Sequence, residues 1–73
     1  MTLDAAKRRT NVIRSLIRRG LTADQAVHFE QRIHDVAAMA LDGGLHAVEH
    51  ELLSRAIARE IRQCIAENQE RRS

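Results

Sequence analysis

The chain of 73 residues contains no proline, no tryptophan and no tyrosine, and it has one phenylalanine, one cysteine and three glycines. With so few of the residues that punctuate structure, long uninterrupted elements must account for nearly the whole chain. The single Cys64 closes no intrachain disulfide, and no Cys/His array has the spacing of a structural zinc module. The near absence of aromatics removes the platforms on which RNA-binding proteins stack bases. No stretch has the apolar length of a signal peptide or a membrane span, because the longest apolar run is Val36 to Leu41 and contains three alanines. A lone thiol without a secretory leader points to a reducing, cytoplasmic setting, and no membrane partner is expected.

What remains is aliphatic and charged. Apolar residues make up 44% of the chain, but eleven of them are alanine, so the core must be built from Leu, Ile, Val and Ala. That composition suits close helix packing better than a sheet. Eleven of the twelve basic residues are arginine, the usage of a GC-rich genome, which points to a bacterial or phage source. A chain this short buries little surface when folded alone, and it has neither disulfide nor metal to compensate, so self-association is expected.

The residue pattern predicts an all-α protein of three helices, at about 3–19, 23–41 and 45–67, forming a single domain over 1–73 with a frayed tail at 68–73. Thr2 is placed to cap the first helix, whose apolar face runs through Val12, Ile13, Leu16 and Ile17 to a stop at Gly20. The strongest local signal is Leu21-Thr22-Ala23-Asp24-Gln25-Ala26. Thr22 and Gln25 form a capping box there, and Leu21 and Ala26 a hydrophobic staple. The second helix carries Ala26, Phe29, Ile33, Val36, Ala37, Ala40 and Leu41 and breaks at Asp42-Gly43-Gly44. The third carries Leu45, Val48, Leu52, Leu53, Ala56, Ile57, Ile61, Cys64 and Ile65 at helical spacing. Short connections predict an antiparallel hairpin of helices 2 and 3. The apolar surface of helix 3 beyond that hairpin predicts a homodimeric helical bundle, with Phe29, Ile33, Leu52, Ile57, Ile61, Cys64 and Ile65 at the interface.

Charge is unevenly placed. Residues 1–21 hold Lys7, Arg8, Arg9, Arg14, Arg18 and Arg19 against Asp4 alone, a net +5, whereas the remainder holds six cations against nine acids, a net −3. Helix 1 is therefore the basic element, and Lys7, Arg8, Arg14, Arg18 and Arg19 are the candidate partner-binding residues; the alternative is a solvated face held partly by Asp24, Glu30 or Asp35 of helix 2. An acidic protein surface is the expected partner, with DNA as the alternative, gripped mainly through backbone phosphates. Helix 3 is no recognition helix, since it opens with Leu45, His46, Glu49, His50 and Glu51, whose acids repel phosphate.

No cofactor, metal or catalytic residue is expected. His46-Ala47-Val48-Glu49-His50 matches the His-x-x-Glu-His string of inverted zinc peptidases, but that match is five residues long and two ligands on one helix do not complete a tetrahedral site. Ser15-Leu16-Ile17-Arg18-Arg19-Gly20 resembles the Ser-x-x-x-Glu-Gly inhibitory motif of the small helical antitoxins that silence Fic-type AMP-transferases. Arg19 stands where that family has its glutamate, which reverses the essential charge, and no residue role is carried over. The expected function is that of a non-catalytic protein-binding module: a bacterial or phage regulator, inhibitor or adaptor presenting helix 1.

Overall fold

The computed structural model describes residues 3–72, and they form three helices with no strand among them: α1 (Leu3–Arg19), α2 (Ala23–Leu41) and α3 (Ala47–Arg72). The expected cap at Thr2 lies outside the described residues. Every helix end that the structure describes around Gly20 and Gly43 is built from local backbone chemistry. At the end of α1, Gly20 N–H donates to the Ile17 carbonyl and Leu21 N–H to the Leu16 carbonyl, with Gly20 at φ +123°. This is the Schellman arrangement, and its hydrophobic partners Leu16 and Leu21 are both buried. The same pattern closes α2, where Gly43 at φ +76° donates to Ala40 and Gly44 to Met39.

Between these stops, α2 begins as the sequence requires. Gln25 N–H donates to the Thr22 hydroxyl, and Thr22 N–H donates to the Gln25 side-chain oxygen, completing the capping box. Leu21 and Ala26 on either side of it are almost wholly buried. The core then gathers Leu16, Leu21, Ala26, Phe29, Val36, Ile57 and Ile61, with Ile13, Leu45, Cys64 and Ile65 packed against it.

Helix α3 departs from expectation at both ends. It starts at Ala47, two residues later than predicted, because Leu45 turns inward against the core before the helix begins. It runs to Arg72, so the polar stretch after residue 67 is helical where fraying was expected. The reason is Asn68, which is buried and donates from Nδ2 both to the Gly20 carbonyl at 2.9 Å and to Gln25 Oε1 at 2.7 Å. A polar side chain here anchors the helix to the α1–α2 corner instead of dissolving it. Arg71 and Arg72 complement the negative helix end beyond.

The three helices lie side by side with α2 in the middle, since α2 packs against both neighbours and α1 meets α3 only weakly. The Cα envelope measures 44 × 30 × 13 Å, so the chain is one helix layer thick. Its radius of gyration is 13.5 Å, against about 11 Å for a compact chain of this length. Its accessible surface is 5613 Å², roughly 1,000 Å² more than the ~4,600 Å² that area–mass scaling gives for a monomer of this size.

Two glycines and one amide test this description. A Cβ on Gly20 would meet Ile65 Cγ2 at 3.3 Å, whereas a Cβ on Gly43 would meet nothing within 4 Å. Gly20→Ala therefore loses more stability in urea unfolding than Gly43→Ala, which bears only the left-handed backbone cost of about 1–2 kcal/mol. Asn68→Ala loses about 1–3 kcal/mol by leaving the Gly20 carbonyl without its donor.

Candidate functional site

The packing of α1 divides its cations into two sets. Leu16 faces the core, and Lys7, Arg14 and Arg18 fall on the opposite side of the helix, where they border shallow surface grooves with Thr10 and Asn11. Arg8 and Arg19 point the other way and border a cleft between the helices. Among the described residues none of these five cations takes part in an ion pair.

Arg9 behaves differently. Its guanidinium grips Glu30 of α2 in a fork, Nε to Oε1 at 2.8 Å and Nη2 to Oε2 at 2.9 Å, and Nη2 also reaches Gln31. The Arg9 pKa is raised above its ordinary value, first by the hydrogen bond to Glu30, against desolvation, and then by the charges of Glu30 and Asp35. Glu30 is only 5% exposed, so its carboxylate is tolerated inside because the fork satisfies both oxygens. Glu30 is one of the three helix 2 acids that the sequence offers to the helix 1 arginines, and its position was legible. It lies four residues after Ala26 and three before Ile33, on the apolar stripe itself.

The cleft is the main concave feature. Its grooves between α1 and α2, between α2 and α3, and across all three helices share Ile33. Ile33 sits at the centre of the inward stripe of α2 yet stays 39% exposed, because α1 and α3 do not close over it. Val12, Ala37 and Ala58 extend this apolar floor, and Arg8, Arg19, His34 and His50 stand around it.

The residues expected at a dimer interface are distributed accordingly. Phe29, Ile57 and Ile61 are buried in the core of the chain itself, and Cys64 and Ile65 are half-buried at the α1–α2 corner, where Ile65 meets Gly20. Ile33 and Leu52 remain exposed, Leu52 by 60%. The surplus apolar surface of α3 is thus at its N-terminal half, with Val48 and Leu52, and not at Ile61, Cys64 and Ile65 as expected. Ile61 lies in the core, and Cys64 and Ile65 pack against it.

Among the described residues no group of three or more His, Cys, Asp or Glu side chains is placed to hold a metal ion. His28 stacks edge-on against Phe29, with ring centroids 5.3 Å apart, and the Arg32 guanidinium lies over that ring, 5.9 Å from its centroid, while pairing with Glu60. No described helix is long and apolar enough to cross a membrane. No protein-family model matches the chain, and no curated protein or solved structure matches it significantly.

The two interhelical ion pairs differ in burial, and that difference is measurable. Arg9→Met strands the buried Glu30 carboxylate, whereas Arg32→Met frees a Glu60 that is half exposed. The thermal midpoint is expected to fall clearly for Arg9→Met and to change little for Arg32→Met.

Proposed function

We propose that this chain is a non-catalytic protein-binding module, a cytoplasmic regulator, inhibitor or adaptor of bacterial or phage origin. The observation that carries this reading is the outer face of α1. Lys7, Arg14 and Arg18 stand there on the side opposite the core, with no acid of the described residues paired to them. Cations held in a row on a rigid helix attract an acidic protein surface and fix its orientation. A charged stripe without aromatic neighbours inserts poorly into lipid, which argues against a membrane surface.

The reading includes a homodimer and an antiparallel α2–α3 hairpin. Gln25 meets Asn68 and Arg32 meets Glu60, so residues later in α2 pair with residues earlier in α3, which supports the hairpin. The surface in excess of a compact monomer supports a second copy.

Charge reversal tests the docking face. Arg14→Glu combined with Arg18→Glu is expected to weaken capture of the partner from host lysate by about tenfold or more while leaving helicity unchanged. Undiminished capture would remove α1 as the docking face. A duplex of random sequence serves as the rival ligand: tight binding that collapses between low and physiological salt would reassign the basic face to DNA phosphates.

A further inference from the structure

We infer that the open cleft centred on Ile33 is the seat of a second copy of this chain, laid face to face with its two-fold axis running along α2. The inference rests on the dimeric reading and adds to it a face and an orientation.

Stable domains pack two layers of secondary structure around a core, and this chain supplies one layer, 13 Å thick in its Cα envelope. The chain exposes 5613 Å², an excess of roughly 1,000 Å² over a compact monomer that is close to the ~800 Å² each partner buries in a standard interface. The apolar floor of Val12, Ile33, Ala37 and Ala58 is only partly covered by its own chain, and it lies on the inward side of α2, where a second layer would complete the core.

Charge favours one occupant and one orientation. Helix α1 carries +5, while residues 33–54 contain Asp35, Asp42, Glu49 and Glu51 and no lysine or arginine. The end of the layer formed by the last turns of α2 and the first turns of α3 is thus the acidic counterpart of α1, although α3 as a whole has no net charge. With α2 in the middle of the layer, a two-fold axis across α2 would lay α1 upon α1 and oppose two +5 helices. An axis along α2 lays α1 of each copy over α3 of the other. Arg8, which borders the cleft, then stands over the first turns of α3, where Glu49 and Glu51 precede any cation of that helix and Glu51 is paired only with the exposed Arg55. Both contacts occur twice, as an isologous interface requires. The outer cations Lys7, Arg14 and Arg18 stay uncovered for the partner.

Sedimentation equilibrium on the full chain tests the proposal with two single substitutions. Leu52 is nine residues from Ile61, two and a half helical turns, and therefore on the opposite side of α3 from the cleft. Wild type is expected to be a dimer, Ile33→Asp to raise the dissociation constant by about 30-fold or more with helicity kept, and Leu52→Asp to leave it nearly unchanged. A wild-type monomer at every concentration would overturn both this inference and the dimeric reading. A dimer that survives Ile33→Asp and is lost with Leu52→Asp would overturn the face alone.

Should Ile33→Asp lose helicity, Ile33→Cys in a Cys64→Ala background decides the matter. Near the axis it forms a disulfide-linked dimer on mild oxidation, and failure to cross-link overturns the proposal. Orientation is read from charge: Arg8→Glu and Glu51→Arg should each weaken the dimer and together restore it. Failure of the pair to restore it overturns the axis.

Discussion

The carbonyl of Gly20 leaves α1 with no helical partner and accepts its hydrogen bond from Asn68, near the far end of the chain. The same amide nitrogen reaches Gln25 Oε1, which already receives the Thr22 N–H of the capping box. One buried side chain therefore joins the stop of α1, the start of α2 and the last turns of α3. Leu16, Leu21, Ala26 and Ile61 belong to the buried core that the three helices share, and Ile65 rests against Gly20. Each of these contacts needs the others: the Schellman turn presents the carbonyl, the capping box orients the glutamine, and the length of α3 delivers the asparagine.

Tying the helices at one corner has consequences at the opposite end. There α1 and α3 flank α2 without meeting over it, Ile33 is left open, and Leu41 is 88% exposed. The Arg9–Glu30 fork and the Arg32–Glu60 pair hold the flanking helices to α2 but do not draw them across it. The result is a layer with one finished corner and one unfinished face. Such a layer suits a small protein that acts by association, because the surface it fails to bury internally is available for another chain. The division of the α1 cations into an outward set and a cleft set follows from the same geometry. Arg8 and Arg19 border the open face, and Lys7, Arg14 and Arg18 look away from it.

Much of this fold was legible in the residues. Helix type, the breaks at Gly20 and Gly43, and the capping box at Thr22 were all set by local backbone chemistry, which needs no tertiary information. The end of α3 was not legible, since Asn68 in a polar run looks solvated until its acceptors at Gly20 and Gln25 are brought near by the fold. For the same reason Ile61, Cys64 and Ile65 read as surplus, while the true surplus was Val48 and Leu52. An apolar stripe shows which residues seek cover but not which end of a splayed layer obtains it. The candidate site was half visible: the basic character of α1 lay in the sequence, and its split between two faces depended on where α2 packed.

In the proposed dimer, folding of the open layer is coupled to its covering by a second copy. Thermal unfolding followed by circular dichroism over a hundredfold range of protein concentration tests this most directly, because a folded state stabilised by association must become more stable as concentration rises. The midpoint is expected to climb steadily with concentration. A midpoint that stays constant across the whole range would contradict it.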